Sequence, residues 1–474
     1  MQFDTDFSMT IDGQAVSSTT MLGIVNPATG AVFAKSPRAS RDDLDLAIAS
    51  GQRAFISWSR LPAAERQHKI RQIGERLLAH ADALATLLVS EQGKPYKDAH
   101  AELMGAAWWC GEVAKMALPI HVSEDNATLR SETRRVPLGV VGAIVPWNYP
   151  VSVAFLKIPA ALLSGNVVLL KPSPFTPLTT LKIGEILRDL LPPGVLNVVA
   201  GGDELGPWIT EHAGVAKISF TGSSATGKRV VQSASASLKR VSLELGGNDA
   251  AIVLADADIP KIAEKIFWSA FTNAGQICMA TKRLYVHEAV YDELATALVR
   301  IAGTVKVGDG ADASSTMGPI QNYTQYRRVL RLLDDIATRK QKVLVGGTAP
   351  GTSGYFVPVT IIDNPADDTP VVTEEAFGPV LPMLKFNDLD AVIDKVNASP
   401  YGLAGSVWSA DPVAAAAVAA RIESGTVWIN GWLHLSPLVP FGGHRESGIG
   451  VESGMEGLLE YTNAQTIVYM KDAQ

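Results

Sequence analysis

Cysteine is almost missing: only Cys110 and Cys278 occur in 474 residues. That excludes a disulfide scaffold and a cysteine-rich zinc or iron–sulfur site, and it fits a chain kept in a reducing compartment. An excess of basic charge is also missing. Lys and Arg number 41 against 48 Asp and Glu, a net charge of −7. This argues against a general binder of nucleic acid or anionic membrane. No apolar run is long enough to span a bilayer, and the longest, 158–170, is broken by Pro159, Ser164, Gly165 and Asn166. The opening residues, Met1-Gln2-Phe3-Asp4-Thr5-Asp6, are acidic where a secretory signal is basic and then apolar. There is no fixed-period repeat and no low-complexity tract. The expectation is a soluble cytoplasmic protein with no metal site. Core material is ample, with 47% apolar and 19% charged residues, and the length suggests roughly two to three structural units.

From 44 to 116 the pattern is helical, with apolar residues three and four apart in 66–79 and 81–91. A different rhythm starts at 139. Strand-length apolar runs at 139–147, 166–170, 196–199, 217–220 and 240–245 alternate with helix-type segments at 151–163, 178–190, 205–212 and 225–235. Thr176-Pro177 suggests a capping hydroxyl followed by proline at the first helical position. Short apolar strands alternating with helices predict a parallel, doubly wound α/β sheet. A second alternation follows Gly246-Gly247: strand 250–254, helix 259–271, strand 283–287, helix 291–301, continuing to 427–429 and including an Ala-rich helix at 414–420. Two polar stretches, 121–135 and 461–470, suggest a strand extension that pairs across subunits.

A doubly wound sheet binds ligands at the carboxyl ends of its strands, against helix N-termini. The run 217–220 leads into Thr221-Gly222-Ser223-Ser224, where backbone N–H groups and the Ser223 hydroxyl suit a pyrophosphate, or simply cap a helix. A second glycine-rich junction spans 201–206 and is not the dinucleotide fingerprint. Lys171 ends a strand and reads either as a ribose contact or as a solvated loop charge. Cys278 sits in a polar, glycine-containing loop whose N–H groups favour thiolate, whereas Cys110, in Trp108-Trp109-Cys110, fits an inert buried thiol. Glu244, between two leucines at a strand end, suits a desolvated general base. Asn148, after a strand, supplies a neutral amide donor of the kind an oxyanion hole needs.

These residues lie in segments that resemble the aldehyde dehydrogenase superfamily, in its hydrolytic, non-CoA branch: PWNYP (146–150), LLKPS (169–173), FTGS (220–223), LELGG (243–247), GQICMA (275–280), EEAFGPV (374–380) and PFGGHRESGIG (440–450). The resemblance implies a Rossmann-type doubly wound cofactor domain (1–119 and 138–246), an α/β catalytic domain (247–454) and a small β oligomerisation extension (120–137 and 455–474). It implies Cys278 as nucleophile, Glu244 as general base and Asn148 as oxyanion donor, with Lys157 and Glu452 on a proton path behind them. Lys171 would hold the adenine ribose, Ser223 the pyrophosphate, and Glu375 and Phe377 the nicotinamide ribose and ring. Val145, Pro146, Trp147, Ser173, Pro174, Gly202, Gly206, Phe220, Gly222, Leu245 and Gly246 would line the rest of the dinucleotide cleft.

The implied reaction oxidises an aldehyde through a thiohemiacetal and a thioester, with NAD as cofactor and NADP tolerated. Many NAD-preferring members carry glutamate where Pro174 stands, and proline neither bonds a 2′-hydroxyl nor repels a 2′-phosphate. The 201–206 glycine turn is also shorter than usual. A substrate tunnel would involve Tyr149, Val153, Leu156, Ile277, Met279, Phe441 and the segment 434–439 with Leu435. It is mostly apolar and has no arginine for a second carboxylate, which suggests a medium-sized aliphatic or aromatic aldehyde. A homodimer or homotetramer is expected. Two rival readings are a CoA-acylating semialdehyde dehydrogenase and an inactive nucleotide-binding or structural homologue.

Overall fold

The computed structural model describes residues 6–351 and 353–471, so parts of the acidic opening and of the C-terminal extension lie outside the described residues. Its first sheet runs in the order Gln14–Val16, Met9–Ile11, Leu196–Val198, Val167–Lys171, Val140–Ile144, Lys217–Thr221, Arg240–Glu244, Gly448–Ile449. The five central strands are parallel. Val140–Ile144 and Val167–Lys171 are buried at every residue, because helices cover both faces and no position alternates toward water. From Val140–Ile144 the chain winds outward to Leu196–Val198 on one side, then restarts with Lys217–Thr221 on the other. That reversal opens a crevice at the carboxyl ends of Val140–Ile144 and Lys217–Thr221, where a doubly wound sheet binds its ligand.

Residues 245–249 carry the chain into a second, seven-stranded sheet: Val343–Val345, Thr360–Asp363, Val380–Phe386, Arg283–His287, Ala250–Val253, Ala404–Trp408, Thr426–Ile429. It is parallel except for its first pair. The chain then returns, and Gly448–Ile449 pairs antiparallel with the end of Arg240–Glu244. The two sheets therefore meet around Glu244. A third sheet joins Thr462–Met470 to Leu129–Pro137 and His121–Asp125, with Thr462 opposite Pro137 and Met470 opposite Leu129. The two polar stretches thus pair with each other within one chain.

One expected cap is wrong. The helix Leu178–Ile186 begins after Pro177, which caps nothing with its side chain. The Thr176 hydroxyl is buried without a partner. Glu91, at the end of the helix Ala81–Gln92, accepts the Leu178 and Thr179 N–H groups at 2.7 and 2.9 Å. A carboxylate gains more from helix-start N–H groups than a hydroxyl does, and this one arrives from far away in sequence. Burial pushes Glu91 up to about 7 despite those bonds. Among the described residues, no helix is long and apolar enough to cross a membrane, and no cluster of three or more His, Cys, Asp or Glu is arranged to hold a metal ion.

Candidate active site

The Ile259–Phe271 helix ends in a contorted turn. Asn273, Ala274 and Gly275 all have positive φ, at 52°, 54° and 72°. Non-glycine residues held this way cost on the order of 1–3 kcal/mol each, so the surroundings must impose the shape. Asn273 donates to the Asn148 carbonyl at 3.1 Å and accepts from Gln92 at 3.3 Å. Gln276 donates to the Asn273 carbonyl at 2.8 Å and accepts the Gln321 N–H at 2.9 Å. At Gly275 any Cβ would strike the Gly378 carbonyl. The turn delivers Cys278, half-buried, while Cys110 is fully buried on the helix Tyr96–Val113. Burial pushes both thiols up, Cys278 to about 12, with Lys282 opposing and Asp249, Glu244 and Glu375 adding to the rise. The expected preference for thiolate therefore fails, because desolvation, with three carboxylates adding to it, outweighs the loop's N–H groups.

Asn148 lies against this loop, its Nδ2 donating to the Gln276 carbonyl at 2.8 Å. The amide has a second N–H to offer a ligand. Its backbone carbonyl is held by Lys94 Nζ at 3.0 Å. Lys94 pairs with Glu102 at 2.5 Å, both fully buried, and sits 3.6 Å above the Tyr149 ring. The other Glu102 oxygen accepts the Val151 and Ser152 N–H groups, both at 2.9 Å, and so caps the Pro150–Leu163 helix. Burial raises the Tyr149 phenol, with the charges of Glu102, Asp98 and Cys278 adding to the rise.

Glu244 ends its strand 5% exposed, and neither carboxylate oxygen has a partner. Burial lifts it well above the ordinary range; Glu452 adds to the rise and Lys157 opposes it. Lys157 and Glu452 form a buried pair at 2.7 Å. Glu452 also accepts from Ser219 at 2.8 Å and Tyr461 at 3.3 Å, and its backbone bridges to Phe441.

On the crevice side, Lys171 is 5% exposed, so it is not a solvated loop charge. Burial lowers it to about 8, with Asp203 and Glu204 opposing. Val145 donates to the Lys171 carbonyl at 3.1 Å, which brings Pro146 and Trp147 to the same edge as Ser173 and Pro174. Trp147 meets Phe377 edge-on at 5.4 Å. Phe377 has φ 45°, and its carbonyl and that of Ala376 accept from Gln325. Glu375 accepts the Gly247 N–H at 3.2 Å, and a Cβ on Gly246 would come within 2.5 Å of its carboxylate. Leu245 is tied to the Ser447 carbonyl at 2.9 Å. Buried Phe220 precedes Gly222, which donates to the Glu244 carbonyl at 3.0 Å. Exposed Ser223 caps the Ser224–Ser235 helix through the Thr226 N–H, leaving first-turn N–H groups outward. Gly202 abuts the Glu204 carboxylate, which Arg38 holds at 2.8 Å. At Gly206, inside the Leu205–Glu211 helix, a Cβ would meet nothing within 4 Å, so no close packing there calls for glycine.

Val153, Leu156 and Leu435 are half-buried against the first core, Met279 is half-buried and Ile277 is 1% exposed. Leu438 and Val439, within 434–439, stand 65% and 55% exposed on the single chain. Sequence reasoning missed Lys94, Glu102, Asp249, Lys282, Ser219, Gln325 and Tyr461. All are buried side chains with polar groups, and no local pattern marks them.

A thiol loop, an amide donor hydrogen-bonded to it and an unpartnered buried carboxylate stand at the crevice edge of a doubly wound sheet. The aldehyde dehydrogenase family profile matches residues 14–467, and the chain belongs to that family. It is 46% identical to a Pseudomonas protein named "Probable aldehyde dehydrogenase" over 99% of this chain and 96% of that one. It is 38% identical to phenylacetaldehyde dehydrogenase of Pseudomonas fluorescens, covering 97% and 95%. The NAD+ complex of an aldehyde dehydrogenase from Bacillus cereus superposes with a TM-score of 0.94 at 34% identity, covering 98% and 97%.

Proposed function

We propose that this chain is an NAD-dependent aldehyde dehydrogenase that releases a free carboxylic acid, with Cys278 as its nucleophile. One observation carries the reading: Glu244 is a buried carboxylate with both oxygens unpartnered, and three residues on, at Gly247, the same segment packs against the Cys278 carbonyl, where a Cβ would come within 3.0 Å. An orphaned buried carboxylate is costly and persists where it has work to do. The crevice fits a dinucleotide. Gly246 leaves room for no side chain beside Glu375, Lys171 is buried at the sheet edge, and the Ser224–Ser235 helix opens toward the crevice. Lys171, Ser223, Glu375 and Phe377 would hold it, and when bound it supplies the hydride acceptor.

The Cys278 thiol gives its proton to water, the sulfur adds to the aldehyde carbon, and the carbonyl π bond opens to an oxyanion. The Asn148 amide and the Cys278 N–H hold that charge; losing one such donor costs about 10²–10³ in rate. Removal of hydride leaves a thioester on Cys278. Water then adds to the thioester carbon as Glu244 takes its proton, the C–S bond breaks, and the acid leaves. Lys157 and Glu452 relay the proton away from Glu244.

The tunnel residues are apolar, and a relative of 38% identity is named for phenylacetaldehyde. Both favour a medium-sized aliphatic or aromatic aldehyde. NAD is the cofactor, and Pro174, which has nothing to repel a 2′-phosphate, leaves NADP tolerated. The exposed outer strands of the third sheet, His121–Asp125 and Thr462–Met470, favour a dimer or tetramer built through that sheet, and two unpaired thiols favour the cytoplasm. A panel of aldehydes with NAD+ or NADP+, read by absorbance of the reduced cofactor, tests the proposal. Free acid should form without added CoA. Turnover that requires CoA, or none with any aldehyde, would refute it.

A further inference from the structure

Lys282 lies four residues beyond the thiol, just before the strand Arg283–His287, and is 5% exposed. Its ammonium donates to the Ile277 carbonyl at 3.0 Å and to the Cys278 carbonyl. It also stands 3.5 Å from Glu375 Oε1, the same oxygen that accepts the Gly247 N–H. Its backbone N–H is pinned to the Asp249 carbonyl at 2.9 Å. One buried cation thus touches both carbonyls flanking the sulfur-bearing residue and a carboxylate on the cofactor side.

We propose that Lys282 is a positioning residue for aldehyde oxidation: it polarises the peptide that presents the Cys278 N–H, fixes the sulfur, and couples both to Glu375. The proposal rests on the reading of Cys278 as nucleophile. The Ile277 carbonyl and the Cys278 N–H belong to one peptide unit. An ammonium on that oxygen draws amide electron density toward it and makes the N–H a stronger donor, by about 10–30% for linked hydrogen bonds. That N–H is one of the two donors facing the developing oxyanion. The same charge acts on the sulfur. Glu244, Asp249 and Glu375 all surround the thiol and disfavour its anion, and Lys282 opposes them. A simple ion pair with Glu375 would not require two carbonyl contacts on either side of the reacting residue. Because Glu375 and Lys282 touch, a ligand that draws on Glu375 alters how firmly the ammonium holds the loop.

The test is alkylation of the cofactor-free enzyme by iodoacetamide from neutral to alkaline pH, with the modified peptide mapped by mass. Lys282→Met should move the Cys278 profile toward higher pH and slow alkylation at neutral pH about tenfold, a one-unit shift. Lys282→Gln, which keeps a donor but no charge, should shift in the same direction. Lys282→Arg should stay near wild type. NAD+ should change the alkylation rate of wild type and Lys282→Arg but not that of Lys282→Met. In turnover, Lys282→Met should lose kcat more than it raises KM for aldehyde. Overlaying profiles for Lys282→Gln and wild type, or an arginine variant as impaired as methionine, would overturn the proposal. A separate arm guards the underlying reading: wild type alkylated fully at Cys278 must be inactive. If it turns over, the nucleophile assignment fails whatever Lys282 does.

Discussion

Replacing Lys157 by methionine would keep the aliphatic stem and delete the ammonium. Glu452, 1% exposed, would then depend on the Ser219 and Tyr461 hydroxyls at 2.8 and 3.3 Å. Stranding one member of a buried ion pair costs about 3–5 kcal/mol, whereas removing both is far milder. Denaturant unfolding followed by tryptophan fluorescence should show that loss for Lys157→Met, and the Lys157→Met/Glu452→Gln double variant should recover most of it. The same pair acts on Glu244 in opposite senses, since Lys157 lowers and Glu452 raises its tendency to hold a proton. The pH profile of the hydrolytic step should therefore move toward alkaline pH in Lys157→Met and toward acid pH in Glu452→Gln. A Lys157→Met variant within about 1 kcal/mol of wild type, or shifts of the same sign in both variants, would refute the reasoning.

Glu244→Gln keeps shape and burial but removes the base; it should release a stoichiometric burst of reduced cofactor and then turn over about 10²–10⁴-fold more slowly, and steady wild-type turnover would mean another base. Pro174→Glu offers ribose hydroxyls an acceptor and repels a 2′-phosphate; the ratio of kcat/KM for NAD+ over NADP+ should rise, and an unchanged ratio would exclude this site as the selector. Glu91 holds its proton up to about 7 in the fold, against an ordinary value of 4.5. Its stabilising contribution is full below 4.5 and is lost as pH rises through 7, a difference of roughly 3 kcal/mol. In Glu91→Gln, denaturant titrations should lose that part of the pH slope, and a slope equal to wild type would contradict the burial argument.

The central strands were legible because burial on both faces writes them as unbroken apolar runs, and their carboxyl ends pointed to Asn148, Glu244 and Lys171 as soon as the alternation was seen. Cys278 stood out from Cys110 by its loop neighbours. The edge strands Met9–Ile11 and Gln14–Val16 were invisible, since three residues carry no periodicity and their pairing depends on Leu196–Val198, far along the chain. Thr176-Pro177 had the local grammar of a helix start, yet Glu91 supplied the cap from another helix. Lys94, Glu102 and Lys282 are residue types that usually face water, and only folded contacts show them turned inward. The thiol's resistance to ionisation has the same origin: burial in the fold disfavours the anion most, and Asp249, Glu244 and Glu375 add to it from separate elements.

The most direct measurement is the mass of the acid-quenched chain after mixing Glu244→Gln with aldehyde and NAD+, followed by peptide mapping. The prediction is one acyl group per chain, carried on the peptide containing Cys278 and absent from that containing Cys110. Reduced cofactor formed with no adduct, or with the acyl group on any other residue, would contradict the account.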